Sequence, residues 1–410
     1  VVGLAAARAG ASKLRHLTLR PFLSDEKRKA ADRKNDAAIA RLIFDSLCVL
    51  RGTALKAAQL IAMEMEFLPE SYREEMAKAS SDVPPMNRAL VYKAVKSELG
   101  PPEKVFRDFD PLPFAAASLG QVHAARALDG RDLAVKVQYP GIADGVRSDI
   151  AMLKAVLAPT KYRRIFDGCF NEITGKLDEE LDYQAEAKHT TLFREVVSGE
   201  GILVPVVAQD LSTRTILSTS RLDGMHIDDW LATQPSQDER DRYGQRLVDF
   251  FHHCVFRHGL IHADPHPGNY LFRRDGQLGV IDFGCTQRLE PDFVADLRAL
   301  KHAANGKDVE CRRALHGRIG IHYRPRHDGR AFDRFFADWT AWLDEPYQQE
   351  RFDFSAEAGY LRRGSSFAKA LYRYIDRYEG GFIYYARAEH GLYRMLEKLG
   401  AKVRMRPGVG

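Results

Sequence analysis

The sequence predicts an α+β fold in three parts: an N-terminal helical extension, a small β-rich lobe and a large helical lobe. Three observations carry this. Apolar residues recur at helical spacing through much of the first hundred residues. After Pro113 come two β-prone runs, 119–127 and 131–138, split by Asp129-Gly130, a hairpin signal. From Asp228 onward the pattern is again dominantly helical.

Taken in order, residues 25–66 read as helix, with Ile39, Leu42, Ile43, Leu47, Leu50, Leu55, Leu60 and Met63 on the apolar side, until Pro69 and Pro84-Pro85 break the pattern. A second helix over 87–99 stops at Gly100-Pro101-Pro102. Beyond the hairpin, 145–157 and 167–197 are helical and 202–208 and 213–220 are strands. A short strand pair, Asn269–Phe272 and Leu278–Ile281, turns at Asp275-Gly276. The expected divisions are a basic arm (1–35), a helical extension (36–110), a small lobe with inserted helices (111–222) and a large lobe (223–410).

Composition sets bounds. A chain of 410 residues suits about two or three domains and buries a core without disulfides. Hydrophobic residues at 45% and charged residues at 29% exclude collagen-like and low-complexity chains. No uninterrupted apolar run approaches the roughly 18 residues of a membrane-spanning helix. Five cysteines, Cys48, Cys169, Cys254, Cys285 and Cys311, form no Cys-x-x-Cys pair, so a zinc knuckle or dithiol motif is not indicated. Their odd number fits a reducing compartment, cytoplasmic or like the mitochondrial matrix.

Charge is uneven. Residues 1–41 hold ten Lys or Arg and four Asp or Glu, against totals of 61 and 56, so the rest of the chain is near neutral. A basic arm suits an anionic membrane surface or nucleic acid; a solvated helix face is the plainer reading and is preferred, and nucleic acid is not expected as a partner. The first residue is Val1, so a targeting segment or anchor upstream is an expectation.

Four separated motifs point to one chemistry. They are Phe114–Val122 around the first turn, Leu133-Ala134-Val135-Lys136 on a strand, His262-Ala263-Asp264-Pro265-His266-Pro267-Gly268-Asn269, and Ile281-Asp282-Phe283-Gly284 at a strand end. Phosphoryl transfer needs such parts in this order. A turn covers the phosphates, and a strand lysine neutralises the α- and β-phosphates. An aspartate aligns the attacking oxygen, and an Asn and a second Asp hold Mg²⁺. Asp264 and Asn269 have the Asp-x-x-x-x-Asn spacing of a kinase catalytic loop. Each motif alone is weak; their order makes the set specific. The fold class is therefore a protein-kinase-like two-lobe fold with ATP or ADP and Mg²⁺ as cofactors. His258, His262 and His266 are four apart, but Pro265 and Pro267 break the helix a histidine metal site would need. His262 is read instead as a packing and hydrogen-bonding brace of the loop.

On these residues the chain resembles the UbiB family of atypical protein-kinase-like proteins, also called the AarF or ADCK family. The likeness is strongest at Pro113–Val122, Arg131–Gly141, Glu180–Ala187 and His262–Gly284. It implies Lys136 as the phosphate lysine, Asp264 as the catalytic-loop aspartate, and Asn269 and Asp282 as metal ligands. Ala115, Ala116, Ala117, Ser118, Gly120 and Val122 would form the phosphate-covering turn. Leu222, at the junction of the lobes, would also touch nucleotide. The family's Glu-x-Asp motif matches Glu180-Leu181-Asp182, and Glu186 matches the glutamate that pairs with the strand lysine; Glu186 is preferred over Glu180 for that pair. The family's Lys-x-Gly-Gln motif is matched by Lys56 and Gln59, with Ala58 in place of glycine, and Glu180 and Asp182 would face that helix.

Three departures from ordinary protein kinases bear on the acceptor. Ala115 and Ala117 stand where glycines are usual, which stiffens the turn and predicts altered ATP/ADP selectivity. His266 replaces the lysine usual two residues after the aspartate, as in small-molecule kinases. After Asp282-Phe283-Gly284 there is no space for a long activation loop and no Ala-Pro-Glu, which argues against phosphorylation of proteins in trans. The resemblance implies an ATPase or small-molecule kinase that supports ubiquinone or related isoprenoid-lipid biosynthesis at a membrane periphery. Isoprenoid quinone precursors, an anionic membrane and quinone-biosynthesis proteins would be its partners. A nucleotide-gated switch or lipid chaperone with negligible turnover is the alternative. The stretch 367–393, rich in Phe and Tyr, is a candidate lipid contact, with ordinary helix packing preferred.

Overall fold

A computed structural model describes residues 86–117, 119–145, 181–199, 201–302, 309–324 and 329–406. The expected helix over 25–66, Lys56, Gln59, Ser118 and Glu180 lie outside the described residues. The chain divides into two compact units. One takes the described residues up to Gln184 together with Ala208–Thr219; the other takes Ala185–Val207 and Ser220 onward.

The first unit is a helix on a sheet. Helix α1 (Arg88–Leu99) starts at Asn87, whose side chain accepts from the Ala89 N–H at 2.8 Å, and ends at Gly100, where φ is +97°. A short helix α2 (Pro102–Val105) leads into β1 (Phe106–Ala117), then β2 (Gly120–Ala127) and β3 (Asp132–Gln138). With β5 (Ile216–Ser220) they form a four-stranded sheet in the order β1-β2-β3-β5. The Asp129-Gly130 hairpin is where the sequence puts it, with Gly130 at φ +92°. Strand β1 is a finding beyond the sequence reading, since Pro111 and Pro113 argue against a strand. It is an edge strand, and its ladder slips around Pro113, so the missing N–H groups cost few bonds. Val91 and Val95 of α1 pack with Phe106, Ala125, Leu133, Val135 and Val137 to bury one face of the sheet.

In the second unit, helix α3 (Tyr183–Val196), most of which falls here, precedes β4 (Ile202–Leu203). The assigned strand β4 is shorter than expected, although backbone bonds persist beyond it: the Ala208 N–H donates to the Ser218 carbonyl at 2.8 Å and the Ser220 N–H to the Val206 carbonyl at 2.8 Å. Helices α4 (Ile227–Ala232) and α5 (Gln237–His252) come next, the second opened by a reciprocal Ser236–Glu239 capping box. A π-helical turn, His253–Arg257, and Gly259 at φ +59° redirect the chain into β6 (Leu260–His262). Strands β7 (Tyr270–Phe272) and β8 (Leu278–Val280) form the expected hairpin, joined by β4 in a small sheet. Strand β9 (Thr286–Arg288) pairs with β6.

Helices α6 (Pro291–His302), α7 (Val309–Arg318) and α8 (Arg330–Gln348) follow, then α9 (Tyr360–Ser365), α10 (Ala368–Tyr374) and α11 (Gly381–Leu399). In the aromatic stretch Tyr374, Tyr385 and Tyr393 are buried, Phe367, Phe382 and Tyr384 are half-buried against the core, and Tyr378 is exposed. Two ladders the helical pattern hid pair β10 (Ile321–Tyr323) with β12 (Ile375–Tyr378), and β11 (Phe352–Asp353) with β13 (Lys402–Val403). Cys254, Cys285 and Cys311 are thiols, none in a disulfide.

Candidate active site

In the first unit Ala115, Val122 and Lys136 lie on the sheet face away from α1. Strand side chains alternate between faces, and residues directly opposite share one. Ala115 is opposite Val122, and Val122 opposite Lys136, so the three form a row across β1, β2 and β3. Ala116 is opposite Gln121 and Ala117 opposite Gly120. The covering turn is thus the tight tip of a hairpin, and its alanines are strand residues. A Cβ on Gly120 would overlap the Val137 carbonyl, so only glycine lets β2 approach β3 here. The Leu119 carbonyl accepts from the Tyr139 N–H at 3.0 Å, which ties the tip to the end of β3.

Lys136 is half-buried, with Nζ 4.9 Å from the centre of the Tyr183 ring. Tyr183 immediately follows the Glu180-Leu181-Asp182 motif. Its ring is buried and its N–H donates to the Arg214 carbonyl at 3.0 Å. Gln138 Nε2 donates to the Leu181 carbonyl at 3.1 Å, joining this segment to β3. Asp182 accepts from the Gln184 N–H at 3.0 Å, a cap at the start of α3.

In the second unit two small ladders bring the other motifs together. The chain leaves β6 at His262 and enters the other small sheet at Tyr270; the loop between carries Asp264 and Asn269. Asp282–Gly284 lies between β8 and β9. Because β6 pairs with β9 and β7 with β8, the two segments run side by side. Backbone bonds lock them: Ile281 N–H to the Asn269 carbonyl at 3.0 Å and Ala263 N–H to the Cys285 carbonyl at 2.9 Å. His262 is the expected brace. Its buried ring donates from Nε2 to the Asp282 carbonyl at 2.6 Å and packs against Phe193, Phe250, Tyr270 and Phe283.

The Asn269 Nδ2 donates to the Asp264 carboxylate at 2.9 Å and to its carbonyl at 3.1 Å, which turns Oδ1 away from Asp264. Asp282 accepts from the Gly284 N–H at 2.9 Å. Glu186, buried in the first turn of α3, lies beside it: a Cβ on Gly284 would be 3.2 Å from Asp282 Oδ1 and 3.6 Å from Glu186 Oε2. Leu222 is half-buried and packs near Gly279 of β8. After Gly284 the chain enters β9 and then α6 with only a short connection.

Asn269 and Asp282 offer an amide and a carboxylate oxygen, a donor set suited to Mg²⁺, which takes few protein ligands and completes its shell with water and phosphate oxygens. Among the described residues no group of three or more His, Cys, Asp or Glu is placed to hold a metal on its own.

The sequence reading missed Arg387. From α11 its Nη2 reaches Asp264 Oδ1 at 3.3 Å, across 123 residues of chain. No local motif marks it.

A small hairpin sheet bearing a lysine, and a helical unit whose catalytic-type loop meets an Asp-Phe-Gly segment, define a kinase-like protein. Residues 78–315 match the ABC1 atypical kinase-like domain, more than half of the chain, and the chain belongs to that family. It is 34% identical over 262 residues to the uncharacterised protein sll1770 of Synechocystis, covering 62% of this chain and 45% of that protein. It is 30% identical to AarF domain-containing protein kinase 1 of Xenopus laevis, over 68% of this chain and 56% of that one. It is 31% identical to the mitochondrial atypical kinase coq-8 of Caenorhabditis elegans, over 67% and 36%. The chain thus spans roughly a third to three fifths of these relatives' length. Among solved structures, Rv3197 of Mycobacterium tuberculosis in complex with erythromycin is similar, with TM-score 0.65 and 25% identity, over 93% of this chain and 96% of that one. No helix among the described residues is long and apolar enough to cross a membrane.

Proposed function

We propose that this chain is a Mg²⁺-dependent, adenine-nucleotide-binding atypical kinase or ATPase. Its acceptor is water or a small molecule rather than a protein, and its activity supports ubiquinone or a related isoprenoid lipid at a membrane periphery. The observation that carries the reading is the assembly of Asp264, Asn269 and Asp282 by the β6–β9 and β7–β8 ladders.

The residues divide the tasks among them. Lys136 neutralises the α- and β-phosphates, and the tip around Ala115–Val122 covers them. Asn269 and Asp282 hold Mg²⁺, which when bound offsets phosphate charge. Asp264 orients the attacking oxygen, and Asn269 keeps its carboxylate in place. Such chemistry is mostly alignment and charge compensation. The short run from Gly284 through β9 into α6 leaves little chain for a peptide-binding activation segment, which supports a small acceptor.

The test is calorimetry of ATP and ADP with and without Mg²⁺, and hydrolysis with and without lipid and quinone-precursor mimics. Wild type should bind and turn over; Asp264→Asn should bind and lose turnover; Asp282→Asn should lose Mg²⁺-dependent binding. No uptake of nucleotide sinks the reading.

A second reading has one observation in its favour: the similar Rv3197 structure is a complex with erythromycin, a bulky small molecule. Here the chain would bind a large apolar ligand under nucleotide control, with negligible turnover. Equal, very low hydrolysis by wild type and Asp264→Asn in every condition would favour it.

A further inference from the structure

We propose that Arg387 is a positioning residue of the reaction: from helix α11 its guanidinium supplies at Asp264 the positive charge that kinase catalytic loops usually carry as a lysine two residues after the aspartate. The inference rests on the kinase or ATPase reading above and adds to it a residue that no motif contains.

The loop does not provide that charge itself. His266 stands at the lysine position, and its Nδ1 accepts from the Gly268 N–H at 3.0 Å, so the ring folds back to cap its own 3₁₀ turn, Pro267–Asn269. Gly268 is needed for this, since a Cβ there would sit 2.9 Å from His266 Nδ1. A carboxylate beside a transferring phosphoryl group is repelled by it unless a cation lies close. Among the described residues the side-chain cation paired with Asp264 is Arg387, 3.3 Å from Oδ1, while Asn269 holds Oδ2 at 2.9 Å. Each carboxylate oxygen is thus fixed by a donor from a different element.

The placement is built rather than incidental. The two side chains are only 16% and 30% exposed, so the pair is partly shielded from solvent. The Arg387 Nε is buried and has no acceptor among the described residues. A guanidinium kept at that desolvation cost contributes little net stability, which points to a functional reason for it. The helix cannot slide past the loop. Two residues on, Glu389 is paired with Lys301 of α6 at 2.8 Å, and at Gly391 the helix lies directly against Pro265.

The test uses the full chain as wild type, Arg387→Met, Arg387→Gln and Arg387→Lys. Thermal unfolding, calorimetric nucleotide affinity, and kcat and KM for ATP are measured on each. Arg387→Met and Arg387→Gln should lower kcat by about 10²-fold, the cost of a displaced or uncompensated catalytic group, with KM and nucleotide affinity little changed. Arg387→Lys should recover much of the loss, which a purely structural role would not give. The Gln variant keeps a donor and much of the volume, so it decides the matter if Arg387→Met unfolds. Wild-type kcat in both neutral variants, or no recovery by lysine, overturns the proposal and leaves the proposed function standing. Nucleotide binding without turnover by wild type overturns both.

Discussion

Gly391, in the middle of α11, lies against the ring of Pro265, so that a methyl group at 391 would overlap Cβ and Cγ of the proline. A rigid ring next to the candidate catalytic aspartate therefore sets how close the last long helix comes. Gly391→Ala gains helix propensity but must push the loop away. Overpacking of this kind costs about 1–3 kcal/mol. The expected outcome is lower stability in urea together with reduced ATP turnover; full activity at wild-type stability would show that the loop yields freely.

Lys301 and Glu389 form a buried pair at 2.8 Å, and Tyr347 and Tyr385 also donate to the same Glu389 oxygen, at 3.1 and 2.6 Å. Removing one partner strands the other charge in the core. Glu389→Ala should destabilise the chain by about 3–5 kcal/mol, read from equilibrium denaturation. Replacing Lys301 and Glu389 together by Met and Leu should cost less than Glu389→Ala alone.

Acid should weaken the helical unit before its carboxylates are titrated. Burial, and then the Lys301 ammonium, push the His252 imidazole down to about 4 from an ordinary 6.5, while Glu389 partly opposes this. Burial and then Arg312 push His316 down to about 3. The unfolded chain takes up these protons near 6.5 and the folded chain only near 4 and 3, so their contribution is whole above 6.5 and falls away as pH drops. Glu389 adds a later loss. Burial alone would raise its carboxyl, but Lys301 holds it below its ordinary 4.5, so its contribution is present above 4.5 and falls away below it. Unfolding free energy measured against pH should decline below 6.5, and His252→Leu should flatten that slope.

Ala117 ends β1 opposite Gly120 at the hairpin tip. Glycine there frees the backbone, so Ala117→Gly should let the tip fold over a terminal phosphate and change the ratio of ATP to ADP affinity in calorimetry. An unchanged ratio refutes the idea that the alanine sets selectivity.

Much of this was legible because the signals are local. Asp129-Gly130 marks its hairpin, Gly100-Pro101 stops its helix, and the spacing of Asp264 and Asn269 fits the one-loop geometry in which their side chains meet. Strand β1 was not legible: its two prolines are acceptable only on an edge with a slipped ladder, and nothing local says which strand is the edge. The ladder of β11 with β13 was hidden for a related reason, since each strand is two residues long and its partner lies far along the chain.

By itself, then, the order of residues determined the kinase-like class, the lysine strand, the aspartate–asparagine loop and the bracing role of His262, because each is written within a few residues that touch through one turn or one hairpin. Only the tertiary structure decided that Arg387 attends Asp264, that Tyr183 lies beneath Lys136, and that Gly391 and the Lys301–Glu389 pair hold α11 in place. Those contacts join residues dozens to more than a hundred positions apart. Packing of whole helices and sheets fixes them, and no periodicity along the chain encodes where such surfaces meet.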